Sequence, residues 1–234
     1  MATGETRRPT DGRSLRWVQH RAERRAAFVA AGVQAMDQFG PDAHAEQIAE
    51  AAGVSRTVLY RYFRDREDLR EAIAEHIINS VVQSVLPHLV LTPTATPKQV
   101  ITSTTGEIIS WFDEHPNLYF FLRSRRNGPG LANVEATLAD RIAALLKMFL
   151  VLFGLNIQLA EPAAFGIVGL VESSCEWWLS KREISRDEFT RFVASGIWYI
   201  LDGHARENGI VVGYDDPLPL GPPELTGLTP GGKS

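Results

Sequence analysis

Arg56, Thr57, Tyr60, Arg61 and Tyr62 crowd one short stretch of the chain and bring together the groups a protein uses to hold a duplex. Guanidinium forks pair with guanine edges or phosphates, and hydroxyls and phenols reach sugar–phosphate oxygens. Leu59 and Phe63, four residues apart, interleave with them and would share the inward side of a helix. The polar set is thereby left facing out, a poor choice for a core and a good one for a DNA groove. Arg56, Thr57 and Arg61 are the candidates for base readout.

Two elements must position these side chains. In Gln47-Ile-Ala-Glu-Ala-Ala-Gly-Val-Ser-Arg-Thr-Val-Leu-Tyr-Arg-Tyr-Phe63, an apolar stripe of Ile48, Ala49 and Ala52 marks a first short helix. Gly53 permits a sharp turn, Val54 fills the angle, and Ser55 can N-cap a second helix. This is the sequence form of a helix-turn-helix.

With its flanks, from Arg-Arg-Ala-Ala-Phe-Val-Ala-Ala through Ile-Ala-Glu-Ala-Ala-Gly-Val-Ser to Leu-Tyr-Arg-Tyr-Phe-Arg-Asp-Arg-Glu-Asp-Leu, the region of about residues 24 to 73 resembles the DNA-binding domain of the TetR family of bacterial transcriptional regulators. The resemblance implies backbone contacts from Tyr60, Tyr62 and Arg66. Tyr60 could equally pack on the first helix, and Arg66 could pair with Glu67 or Glu71. Two positions depart from the family pattern: His44 stands where a threonine or serine commonly opens the second helix and touches phosphate, and Val58 where a small or hydroxylated residue is usual. His44 can still donate to a phosphate, or be a plain surface histidine.

A chain of 234 residues with 44% hydrophobic content can bury a full core, and its net charge of −4 means that DNA affinity must come from local clustering. Residues 1 to 25 hold such a cluster, seven arginines against Glu5, Asp11 and Glu23. They form either a solvated tail or an arm that tracks phosphates. Cys175, the single cysteine, excludes an intramolecular disulfide and a multi-thiolate metal site. No signal-like segment or membrane-length apolar run is present, so a cytoplasmic protein without membrane contact is expected. No phosphate loop, metal-ligand spacing or nucleophile elbow supports an enzyme, a metal site or a cofactor.

The expected fold is all-α: a flexible basic arm (1–19), a three-helix DNA-binding domain (20–65), a helical effector-binding and dimerisation domain (66–214) and a disordered proline-rich tail (215–234). The first helix is expected over about His20 to Phe39, ended by Gly40, and a fourth is N-capped by Asp65. Further helices are expected at about 97–114, through Tyr119 to Phe121, and at about 133–153, 162–181 and 186–207. Ser185 and Glu188 form a capping box for the last, and Asn127-Gly-Pro-Gly130 is a loop.

Aromatic residues crowd the C-terminal part. Plain core is one reading; the resemblance implies an effector cavity, for which Trp111, Phe112, Tyr119, Phe149 and Trp177 are the candidate walls and Glu172 and Glu176 the candidate polar groups. The two carboxylates could instead face water or pair with Lys181 or Arg182. Gly166, Gly169, Ser173 and Gly196 would let helices approach closely, within one chain or between two subunits. The resemblance implies that the last two helices of each subunit form a four-helix dimer interface. The expected partners are therefore double-stranded operator DNA, a second copy of the chain and a hydrophobic small-molecule effector. The expected function is a dimeric repressor released by that molecule, with a ligand-independent DNA-binding protein or an activator as the alternative.

Overall fold

A computed structural model describes residues 12–88, 92, 94–124, 134–152 and 156–218, and among them every regular element is helical. The order is α1 (Gly12–Phe39), α2 (Ala45–Ala51), α3 (Arg56–Leu59), α4 (Arg66–Val85), α5 (Pro97–Glu114), α6 (Pro116–Ser124), α7 (Val134–Leu152), α8 (Ala160–Lys181) and α9 (Arg186–Glu207). The loop expected at 127–130 lies outside the described residues.

α1 buries Phe28, Val29, Ala35 and Met36 against α2 and α4. Gly32 is required at the α1–α4 crossing, since a Cβ there would lie 2.4 Å from Ile73 Cδ1. Gly40, at φ +94°, ends the helix with its N–H on the Met36 carbonyl at 2.9 Å. The helix starts at Gly12, not near His20, so part of the segment expected to be a flexible arm is helical; residues 1–11 lie outside the described residues.

Gly53 takes the left-handed conformation, φ +65°, that the α2–α3 turn needs. α3 is shorter than the sequence suggests. After Tyr60, which still bonds back four residues to Arg56, the N–H groups of Arg61 and Tyr62 reach back three residues, to Val58 and Leu59. Two features end it: the β-branched Thr57 and Val58 favour helix weakly, and Asp65 must be extended to cap α4. The Asp65 carboxylate accepts the Asp68 N–H at 2.8 Å. Leu59 and Phe63 are nonetheless buried, as their spacing demands.

α4 is common to both halves. Its Leu69, Ile73 and Ile77 share a core with Phe28, Met36, Ile48 and Leu59, and this core also takes in Leu118, Phe121 and Leu122 of α6. The division placed at residue 65 therefore runs through continuous packing. A second core joins Ile109 and Phe112 of α5, Tyr119 of α6, Ile167, Cys175 and Trp178 of α8, and Phe189, Val193 and Ile197 of α9.

Caps fix the ends of these helices. Thr96 and Gln99 cap α5, with Pro97 in its first turn; Ser185 and Glu188 cap α9. α8 ends on Arg182 at φ +55°, a conformation costly for a residue with a Cβ. The Arg182 guanidinium lies 4.3 Å over the Trp178 ring and pairs with Asp113, contacts that offset the strain.

The C-terminal tail was expected to be disordered from residue 215, yet its first residues are pinned across the start of α5. Lys98 N–H bonds the Tyr214 carbonyl at 3.0 Å, Leu218 N–H bonds Ala95 at 2.8 Å, and Tyr214 stacks on Trp198 at 5.0 Å. Prolines that stop a helix do not stop an extended strap from docking. Residues 219–234 lie outside the described residues.

Candidate nucleic-acid interface

Ser55, Arg56, Thr57, Arg61 and Arg66 are each exposed, over α3 and the start of α4. Ser55 has the extended backbone of an N-cap, but its hydroxyl makes no cap hydrogen bond. Arg56 pairs with Glu46 at 2.7 Å and lies 5.6 Å over the Tyr60 ring. Both partners of the pair are more than half exposed, so the link is weak and easily exchanged for a phosphate or base.

Tyr60 and Tyr62 are half-buried. Tyr62 meets Phe28 edge-on at 5.0 Å, so its ring packs against the core. His44 is exposed and opens α2, its N–H bonded to the Gln47 side chain at 2.7 Å. The substitution from the family's hydroxyl residue thus leaves the helix start intact.

Asp68 holds this surface to α1. It accepts from Arg25 at 3.0 Å and from the Arg64 N–H at 2.9 Å. Burial pushes its carboxyl up, but the Arg64 N–H bond and the charges of Arg25 and Arg64 outweigh that and leave it below the usual range. Arg25 also lies 4.7 Å over Phe63. The sequence places Arg21 and Arg25 both in the first helix and in the basic cluster of residues 1 to 25, and does not show that they stack on the recognition segment. Arg21 lies 5.6 Å from the Trp17 ring and 5.8 Å from that of Tyr62, and donates to the Arg61 carbonyl at 3.4 Å. The available signal was the helical spacing of Trp17, Arg21, Arg24 and Arg25, with no proline or glycine between Arg13 and Ala31.

α6 ties this unit to the rest. His115 Nδ1 lies 2.9 Å from the Asp37 carboxylate, and the Asn117 side chain donates to the Asp37 carbonyl at 2.7 Å. Arg70 of α4 is buried, bonded to the Pro41 carbonyl at 3.1 Å and lying 4.8 Å over Phe121 of α6. Burial lowers its pKa, and the charge of Arg66 adds to the effect.

Of the residues assigned to an effector cavity, the structure brings together Trp111, Phe112, Tyr119 and Glu172. Phe112 and Tyr119 meet edge-on at 5.0 Å, and the Tyr119 hydroxyl donates to the Glu172 carbonyl at 2.8 Å. Burial pushes the phenol well above its ordinary range. Glu176 pairs with Arg123 of α6, not with Lys181 or Arg182. Trp177 must be corrected: it lies 43% exposed on the outer face of α8, and the inner place belongs to Trp178, stacked on Phe189 at 5.0 Å. One residue of register along a helix swings a side chain by about 100°. The Phe149 side chain lies outside the described residues.

α8 also exposes Phe165, and α9 beside it exposes Phe192 and Tyr199 at 64% and 71%. Gly166, Gly169 and Gly203 have open space where a Cβ would stand. Gly196 differs from them, since its Cβ would lie 2.9 Å from Leu170 of the same chain. It serves the α8–α9 contact within one subunit.

No helix among the described residues is long and apolar enough to cross a membrane, and no group of His, Cys, Asp or Glu there could hold a metal ion. A buried helix-turn-helix scaffold presenting arginines and hydroxyls defines a DNA-binding regulator of transcription.

Comparison with known proteins places it further. Residues 28–73 match the family model described as bacterial regulatory proteins, tetR family. An HTH-type transcriptional regulator of Mycobacterium tuberculosis is 30% identical over 207 residues, covering 86% of each chain. Among solved structures, a TetR-family transcriptional regulator from Streptomyces coelicolor superposes with a TM-score of 0.62 at 21% identity, covering 80% of this chain and 83% of that one. The Bacillus subtilis regulator FadR, solved in complex with stearoyl-CoA, superposes with a TM-score of 0.57 at 15% identity, covering 76% and 98%. The chain belongs to the TetR family.

Proposed function

We propose that this protein is a homodimeric repressor that grips a palindromic operator through two helix-turn-helix units and releases it when an apolar or amphipathic small molecule binds the C-terminal domain. The observation that carries the reading is the exposure of Arg56, Thr57 and Arg61 on a segment whose other side, Leu59 and Phe63, is buried. Arg56, Thr57 and Arg61 read base edges, while Ser55, Tyr60, Tyr62, Arg66 and His44 hold sugar and phosphate.

Dimerisation is supported by the aromatic and glycine-rich outer faces of α8 and α9, apolar surface that a soluble monomer would not leave in water. Pairing by a two-fold axis would set two recognition segments against two half-sites. The apolar effector is supported by the aromatic surroundings of Tyr119 and Glu172 and by the stearoyl-CoA seen in the related fold. The α1–α6 contacts at Asp37 offer the route by which a change around Tyr119 would alter the DNA-binding unit. Release requires that the effector prefer the DNA-incompetent arrangement, since equal affinity for both shifts nothing.

The test is DNA binding by gel shift, using duplexes selected by the protein from a random library, with and without fatty acids, acyl thioesters, steroids and aromatic drugs. Selection of a palindrome and its loss with one compound class supports the reading. Selection of a palindrome with no compound effect leaves a ligand-independent DNA-binding dimer.

A further inference from the structure

We infer that the N-terminal part of α1 is a second DNA-contacting element, which lies along the sugar–phosphate backbone flanking the half-site and presses Trp17 and Arg16 against it. The inference rests on the DNA-binding reading above and extends the contact beyond the recognition segment.

From Arg16 to Ala27 every residue is exposed except Arg25, which is half-buried, and burial sets in at Phe28. Residues 12–27 would span about 24 Å at ~1.5 Å per residue, the length of roughly seven base pairs at ~3.4 Å each. A helix polar nearly all round, with little tertiary packing, is marginal in water and gains most from a partner surface. Its chemistry selects the partner. Between Gly12 and Arg25 there are five arginines against Glu23 alone, on a chain whose net charge is −4. A polyanion fits that segment: residues 56–70 also hold five arginines, but beside Asp65, Glu67 and Asp68, whereas Glu23 is the one acidic residue among residues 12–25.

Placement on the same side as the recognition segment is set by contacts. Trp17, Arg21 and Tyr62 form a continuous ladder at 5.6 and 5.8 Å, and Arg21 also donates to the Arg61 carbonyl. The ladder begins in the proposed readout surface and ends at Trp17, whose indole is 63% exposed. An exposed tryptophan has apolar area that a deoxyribose edge can cover, and its N–H is a donor for a phosphate. The flanking backbone is sequence-independent, so this contact adds affinity and leaves base preference unchanged.

The experiment uses the full chain and duplexes it has selected from a random library, cut either at the outer edges of the two half-sites or about ten base pairs beyond them. The wild type is expected to bind the longer duplex about tenfold more tightly. Arg16→Ala/Trp17→Ala should bind both lengths equally, with unchanged base preference and a salt slope smaller by about one or two units. Trp17→Phe, which keeps a flat ring, should retain most of the length effect. Arg61→Ala must behave oppositely, losing base preference at both lengths while keeping the tenfold effect of the flanks. A wild type indifferent to the flanks overturns the inference, as does a double variant that weakens by the same factor on both duplexes. If the wild type selects no duplex at all, the DNA-binding reading falls first and this one with it.

Discussion

The two ends of the molecule differ in what they leave uncovered. Around α1, α3 and the start of α4 the outward residues are arginines, hydroxyls and half-buried tyrosines; on α8 and α9 they are Phe165, Trp177, Phe192 and Tyr199 with glycines between them. Each end rests on its own cluster of buried apolar residues, so the uncovered residues, not the cores, set the two apart. A cationic surface stays hydrated until a polyanion releases its counterions, whereas an apolar one is driven together with its like. The comparison teaches that one chain can carry two surfaces of unlike chemistry, one suited to a polyanion and the other to an apolar partner.

The sharpest way to break that comparison is to make the apolar end behave like the charged one. Phe192→Glu/Tyr199→Glu puts two carboxylates on the outer face of α9, where both side chains are mostly exposed and the fold does not depend on them. The variant should sediment as a monomer with unchanged circular dichroism, and its operator affinity should drop by more than about a hundredfold, because one half-site then binds without its twin. A variant that stays dimeric would place the interface elsewhere. Gly196→Arg is not an equivalent test, since Gly196 faces Leu170 of its own chain and the variant would disturb the subunit itself.

At the charged end, Arg61→Ala should cost ~1 to 3 kcal/mol on the preferred operator and flatten preference at the base it reads. Binding across a panel of single-base operator variants measures both. An unchanged preference with uniformly weaker binding would make Arg61 a phosphate contact.

How much of this was legible in the sequence follows from the range of the forces involved. Local signals read true: Asp65, Thr96 and Ser185 sit at their caps, Gly40 and Gly53 take positive φ, and the burial of Leu59 and Phe63 follows from spacing. What depended on tertiary contacts did not. The short α3, the α1 extension held by Tyr62 and Asp68, and the strap at Tyr214 to Leu218 are set by partners far away in the chain. Trp177 and Trp178 show the same limit at one position: both are aromatic neighbours among apolar residues, and only the rotation of α8 decides which is core. The helix-turn-helix was legible because the motif is local, whereas Trp111, Phe112, Tyr119 and Glu172 are gathered from α5, α6 and α8.

Gly32 tests whether the two halves of the DNA-binding unit must touch as closely as they do. Gly32→Ala would force its methyl against Ile73, so overpacking should cost ~1 to 3 kcal/mol in stability even though alanine favours helix more than glycine. Thermal melting checks this. A stabilised variant would mean that Ile73 rotates away freely and that the crossing is looser than its spacing.

Asp68 sharpens the comparison through pH. Its folded pKa lies below the ordinary value of 3.8, so its ionised form stabilises the native state; that contribution is complete above 3.8 and is lost as pH falls through the lower folded value. Asp68→Asn should therefore lower stability at neutral pH and narrow its gap to the wild type at strongly acid pH. Since Arg25 is the partner that ties α1 to this carboxylate, loss of amide protection in α1 should accompany the change. A gap that is constant with pH would assign Asp68 a role through shape alone.

Cys175 gives the smallest effect on function and the clearest view of the second core. Burial first, and the charge of Glu172 second, push its thiol up to about 12 from an ordinary 9.0. With the folded pKa raised, the contribution to stability is complete below 9 and is lost as pH rises toward the folded value. At pH 8 the thiolate fraction should fall about a thousandfold between the unfolded and folded chain, and reactivity follows the thiolate. A thiol-specific reagent should accordingly modify the denatured protein rapidly and the native protein at the rate of its opening. An effector bound beside Tyr119 should slow it further. Rapid modification of the native protein would mean that the packing around Trp178 and Phe189 opens readily, and that the second core is the less stable of the two.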